Sequence, residues 1–277
     1  MSGLRYHLQV ARAVAVRDFK IRITYIPWIL NSLVQPVVWT LILVYAYKAI
    51  MGPGSLEALR GYGWWGDPVS FLIAGQVMLS LFNALNWRAG MAIQRERWYG
   101  TLEIVFLTPA SRVVMLFGSS IYGLLDAGWV SFIAVVTLYW LTGAGFTVAD
   151  PLAVVVSLAA AVLGALAMGV GLAGVYVLTR SAGPLAVAIQ HPLRFLTGSS
   201  FPLGVLPVAL QYAAYAIPLT YGLHAVRMTV IEGAGLGEVS RILAPLLAVS
   251  LAAGVLGVLF VRWAEEVAKR NGWLHTF

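Results

Sequence analysis

The chain has no cysteine among its 277 residues, so neither a disulfide framework nor a thiolate metal site can be built from it. Its four histidines (His7, His191, His224 and His275) are scattered, and no two stand at the i, i+4 spacing of a helical zinc site. Charge is scarce too: 10% of residues carry one, against about 25% in an ordinary soluble domain, too few to clothe a water-facing surface. A phosphate loop of the form Gly-x-x-x-x-Gly-Lys-Ser/Thr is missing, so any ATP hydrolysis by that machinery must come from another chain. The single dinucleotide-like pattern, Gly169-x-Gly171-x-x-Gly174, sits inside a hydrophobic run with no strand before it. Small residues in that setting serve close helix packing.

What remains is apolar. Hydrophobic residues make up 60% of the sequence. A bilayer core about 30 Å thick takes roughly 20 helical residues at 1.5 Å each. Six segments meet that test: Pro27–Ile50, Val69–Trp87, Val113–Leu141, Pro151–Leu178, Pro184–Phe201 and Ile242–Val261. The fifth is interrupted by His191, Pro192 and Arg194. The expectation is an all-α, polytopic membrane protein, with residues 1–277 forming a single transmembrane domain.

Orientation follows from the basic residues. With the N-terminus inside, the inner segments hold Arg5, Arg12, Arg17, Lys20, Arg22, Arg88, Arg95, Arg97, Arg112, Arg180, Arg262, Lys269 and Arg270. The outer segments hold only Lys48, Arg60, Arg227 and Arg241. This asymmetry predicts both termini on the cytoplasmic side of a cell membrane, inner or plasma. The net charge of +7 then reads as a face for anionic membrane lipid rather than for nucleic acid. Within residues 1–26, Leu4, Leu8, Ala11 and Ala15 recur at helical spacing among Arg5, Arg12, Arg17 and Lys20. That pattern predicts an amphipathic helix in the interface plane. The stretch is too long and polar, with Asp18 in it, to be a cleaved signal.

Two extramembrane segments carry information. In the inner loop 93–112, the charges Arg95, Glu96 and Arg97 give way to Gly100-Thr101. Thr101 is placed to cap a short helix through Leu102, Glu103 and Val105, which Thr108-Pro109 ends. On the outer side, residues 202–228 include Pro202, Pro207 and Pro218, with ten mostly apolar residues between the last two. Ten helical residues reach about 15 Å, half a bilayer, which predicts a re-entrant or interfacial helix pair. Polar groups also occur inside the spans. Gln76, Ser80 and Asn83 form one stripe, and Asp126, His191 and Arg194 are ionisable. Such groups default to a functional role, here the translocation path with Asp126 and Arg194 paired across the bundle; the alternatives are a protonated Asp126 bonded to Tyr122 one turn earlier and an Arg194 that reaches to an interface.

The pattern Glu96-Arg97-x-x-Gly100-Thr101-Leu102-Glu103, then Thr108-Pro109 and Ser111, resembles the inner-loop signature of type-2 ATP-binding-cassette (ABC) exporter permeases. Gly198-x-x-Phe201-Pro202, Leu206-Pro207, Ile217-Pro218-Leu219-Thr220-Tyr221 and Arg227 resemble the end region of the same family. The resemblance covers essentially the whole chain and is closest to the drug-resistance branch. It implies a non-catalytic membrane subunit that pairs with a second permease copy and with separate ABC ATPase subunits. ATP and Mg would be held by that partner, and this chain would bind no cofactor of its own. The loop around Glu96–Thr108 would transmit ATPase closure to the spans, and the helices near Pro207, Pro218 and Tyr221 would cap the outer mouth. The implied cargo is a hydrophobic or amphipathic small molecule or lipid, with a lipid-linked polysaccharide as the alternative. From the residues alone, an ion-coupled secondary transporter using Asp126 is a further possibility.

Overall fold

The computed structural model describes residues 3–51, 67–91, 95–96, 100, 112–179 and 182–270. Among them the chain is helical throughout. The helices are α1 (Gly3–Thr24), α2 (Ile26–Met51), α3 (Pro68–Gly90), α4 (Arg112–Thr142), α5 (Pro151–Val177), α6 (Ala182–Leu196), α7 (Val208–Tyr215), α8 (Pro218–Val230) and α9 (Leu236–Arg270). A 3-10 turn, Leu203–Val205, lies between α6 and α7.

Helix α3 is the central post. Of its apolar stretch 72% is buried, against 17% for the stretches of α2 and α9, which form the rim. Met78, Leu79, Phe82 and Leu85 of α3 pack with Ala127 of α4, Ala161 and Ala165 of α5, Leu193 of α6, and Leu219, Leu223 and Val226 of α8. The alanines allow these long apolar side chains to fit between closely set helices. The pairing of α5 with α9 shows the same principle at its limit. A Cβ on Gly257 would stand 2.8 Å from the Gly171 nitrogen, and one on Gly174 would stand 2.6 Å from Phe260 Cδ1. Gly171 and Gly174 therefore act as packing residues, as small residues do in apolar helix pairs.

Among the described residues, five helices are long and apolar enough to cross a membrane: Ile29–Ile50, Pro68–Trp87, Gly118–Thr142, Pro151–Tyr176 and Leu236–Ala264. The expected fifth segment, Pro184–Phe201, forms the 15-residue helix α6, which stops at Leu196. At 1.5 Å per residue α6 reaches only about 22 Å. Its end has a local cause. Gly198 adopts φ +74°, a left-handed conformation that ends the helix, and Thr197 donates its hydroxyl to the Leu193 carbonyl. Phe201 falls beyond this turn. The last helix, by contrast, begins earlier than expected and runs on to Arg270.

One carboxylate ties two helix starts together. Asp150 Oδ1 accepts from the Leu152 and Ala153 N–H groups at the head of α5, while Oδ2 accepts from the Leu236 N–H at the head of α9. Orphan N–H groups at helix starts favour such an anionic cap. The Ala153 and Leu236 bonds hold the Asp150 carboxyl below its ordinary value of 3.8. A carboxyl with a depressed folded-state pKa stabilises the fold above the ordinary aspartate range, and that contribution is lost as pH falls through the depressed value. Asp150→Ala should therefore melt below the wild type at neutral pH, with the gap narrowing as the solution is acidified below 3.8. Thermal denaturation in detergent at several pH values checks this, and a gap independent of pH would contradict it.

Candidate functional site

A cluster of charged residues gathers where α1 meets α4 and the segment after α3. Asp18 is 4% exposed, yet it accepts hydrogen bonds from Arg95 Nη2 at 3.2 Å and Ser119 Oγ at 3.0 Å. Its other oxygen accepts from Arg17 at 3.0 Å, and Arg17 Nη1 reaches Glu96 at 2.6 Å. Burial lowers the Arg17 pKa, but Glu96 and then Asp18 outweigh it, so the net direction is upward and the guanidinium stays charged. Further along the same seam, Arg22 pairs with Asp126 at 3.2 Å. Three acids thus meet three arginines between α1, residues 95–96 and α4.

Packing explains why the seam closes so tightly. A Cβ on Gly118 of α4 would lie 2.7 Å from the Ala11 carbonyl oxygen, so only glycine lets α1 approach there. Phe19 then meets Tyr122 edge-on at 6.2 Å. The buried face of α1 is Ala11, Val14 and Asp18, while Leu8 is 62% exposed. Of the expected apolar stripe, Ala11 packs inward, Ala15 is half-buried and Leu8 faces out, while the helix's lone acid faces inward. Helix α1 runs beside the first turns of α4, from Gly118 to Asp126.

A second polar node occupies the opposite end of α3. Arg227 of α8 is buried without a carboxylate. It donates to the carbonyls of Gly198 at 2.8 Å and of Ser199 and Phe71 at 3.2 Å, with its guanidinium 3.3 Å from the Phe71 ring centroid. Tyr47 donates to the Ser200 carbonyl and Gln76 to the Ser200 hydroxyl. A Cβ on Gly75 would overlap the Ser199 carbonyl, so glycine is required for this turn to sit on α3. The turn at 198–200 is thereby clasped by α2, α3 and α8.

The residues singled out from sequence distribute as follows. Glu96 belongs to the α1 seam, and Gly100 adopts φ +67° just beyond it. Arg97, Thr101, Leu102, Glu103, Thr108 and Pro109, with the short helix expected there, lie outside the described residues. Pro202 and Pro207 precede the 3-10 turn and α7, Pro218 opens α8, and Tyr221 lies against Tyr215 at 5.7 Å. Two helices, α7 and α8, thus occupy this segment. Gln76 is joined to the Ser200 clasp, while the Asn83 side-chain oxygen is buried without a hydrogen bond. The expected Asp126–Arg194 pair does not form. Asp126 faces Arg22 on α1, whereas α6 packs on α3, α5 and α7, which leaves Arg194 over the Trp39 ring. His191 is exposed. Arg17, Asp18, Arg22 and Ser119 were not singled out; an acid in a basic helix was the available signal for Asp18.

In comparison with known protein families, residues 9–231 match the family model described as ABC-2 type transporter. Among curated proteins, no significant match is found.

Removing one member of a buried charge network leaves its partners uncompensated, at about 3–5 kcal/mol. Asp18→Asn should therefore destabilise the protein strongly, and adding Arg95→Gln should restore part of the loss because the second change removes a stranded cation. Denaturant unfolding of both variants checks the coupling. Simple additivity of the two losses would show that Asp18 and Arg95 act independently.

Proposed function

This chain belongs to the ABC-2 type transporter family, and on that basis we propose that it is the permease subunit of an ATP-driven exporter of hydrophobic or amphipathic small molecules or lipids. ATP is hydrolysed on a separate ABC ATPase subunit, the kind of partner with which permeases of this family work. The permease acts as a pair of copies in a cell membrane, with both termini on the ATPase side. The exposed apolar flanks of α2 and α9 leave room for a second copy and for lipid.

The observation that carries the reading is the junction of residues 95–96 with α1 and α4. An element that receives force from a soluble partner must be joined to the spans by contacts that do not slip. Arg17 holds Glu96, and Asp18 holds Arg95 together with Ser119 at the head of α4. A push on the loop after α3 would then reach α1 and α4 together. A charged contact specifies register better than an apolar one, because displacement strands buried charge. Helices α7 and α8, tied through Arg227 to the turn after α6, would form the cap at the outer mouth. Asp126 is engaged by Arg22, which disfavours the reading of Asp126 as a proton carrier in a secondary transporter.

Glu96→Gln keeps the side-chain volume and removes the charge opposite Arg17. In liposomes containing the permease and its ATPase subunit, this variant should continue to hydrolyse ATP but lose at least about tenfold in cargo moved per ATP, the scale of one lost charge-assisted contact. Parallel assays of hydrolysis and export check this. Undiminished export per ATP would show that the loop does not couple through Glu96, and export without nucleotide would overturn the exporter reading.

A further inference from the structure

Among the described side chains, Arg194 of α6 is a cation that neither polar node accounts for. Its guanidinium carbon lies 4.9 Å from the Trp39 ring centroid. Trp39 lies midway along the apolar stretch Ile29–Ile50, so the charge sits at the depth of that stretch's middle rather than at its end. A ring face attracts a cation without neutralising it. Among the described residues no carboxylate pairs with Arg194. Polar side chains stand one turn from it and from Trp39 on their helices. Gln190, one turn earlier on the same face of α6, has its amide nitrogen buried without a hydrogen-bond partner. His191 and, one turn before Trp39 on α2, Gln35 are exposed.

A charge at this depth is met by an acid or by backbone carbonyls, as Arg227 is by three carbonyls, whereas among the described residues the Arg194 guanidinium has neither. Of its acids, only Asp126 and Glu238 fall within the five apolar stretches. Asp126 is engaged by Arg22, and Glu238 lies in the first turn of α9. Among the described residues nothing neutralises Arg194, which leaves it open to an anion from outside the chain. Around the cation, Val38, Ile42, Val187 and Phe195 are exposed, an apolar surface suited to a hydrocarbon chain.

We propose that Arg194, floored by Trp39 and flanked by Gln190 and His191, is the headgroup site of an anionic amphipathic cargo, with a phosphate or carboxylate head and an apolar tail. The planar guanidinium matches either head with paired donors. The proposal rests on the permease reading and narrows its cargo from amphipathic to anionic amphipathic.

Equilibrium competition on the full-length permease in an uncharged detergent tests it. The competitors are lysophosphatidylglycerol, lysophosphatidylcholine with the same chain, and glycerol 3-phosphate, which has the anionic head without the tail, against radiolabelled lysophosphatidylglycerol. The wild type should prefer lysophosphatidylglycerol over lysophosphatidylcholine by at least about tenfold, the scale of a charge-assisted hydrogen bond. Arg194→Gln should abolish the preference while keeping lysophosphatidylcholine binding, and Arg194→Lys, which keeps the charge, should retain most of it. Equal competition by the two lysolipids in the wild type, or a preference that survives Arg194→Gln, overturns the proposal. Competition by glycerol 3-phosphate as strong as by the lipid also overturns it, since the site would then take a free anion. Because the assay needs no ATPase, loss of ATP coupling would refute the exporter reading while leaving a headgroup preference intact, and the reverse result would do the opposite.

Discussion

An ionised side chain taken out of water must be met by opposite charge or by hydrogen-bonding dipoles, and the seam between α1 and α4 is arranged around the first of these. Asp18, Glu96 and Asp126 meet Arg17, Arg95 and Arg22 in contacts of 2.6 to 3.2 Å. The net charge of the six is zero, so the seam can be buried, but no member can move alone without stranding a partner. Apolar packing elsewhere in the protein has no such demand. Leucine slides past leucine at small cost, whereas an arginine leaving its carboxylate does not. The network therefore fixes how α1, residues 95–96 and α4 sit on one another, and Gly118 permits the close approach that fixing requires.

Helix α3 links this seam to the other end of the molecule. Residues 95–96 follow α3 at one end, and Phe71, Gly75 and Gln76 receive the clasped turn near the other. Twenty-three helical residues separate those ends by about 34 Å. Buried on all sides by α4, α5, α6 and α8, α3 is the element least free to deform. A rigid post with a polar joint at each end is suited to carry displacement from one face of the bundle to the other. The rim helices α2 and α9 are less constrained, and the open cation of α6 faces α2.

Much of this was legible in the sequence because bilayer thickness imposes a length on apolar runs that few other constraints mimic. The helices α2 to α5 fall close to their expected bounds. The fifth expected segment ended early because hydropathy does not register the left-handed Gly198 or the turn that Arg227 holds. Asp126 was visible as a buried acid, but its partner was not, since pairing depends on which helices touch. Arg22 lies in a terminal helix that charge counting places at the membrane surface, yet it reaches a turn deep on α4. Asp18 was hidden for the same reason: one acid among many bases reads as a solvated face until the packing is seen.

The central claim is that opposite charge across the α1 seam, and not mere contact, joins the loop after α3 to the spans. Exchanging the partners tests it most directly. Export per ATP would be measured in liposomes holding the permease and its ATPase for Arg17→Glu, Glu96→Arg and the double exchange. The account predicts that each single change uncouples export from hydrolysis and that the double exchange recovers part of it, short of the wild type because position 17 also faces Asp18. A double exchange as defective as the singles, or singles that couple normally, would contradict it.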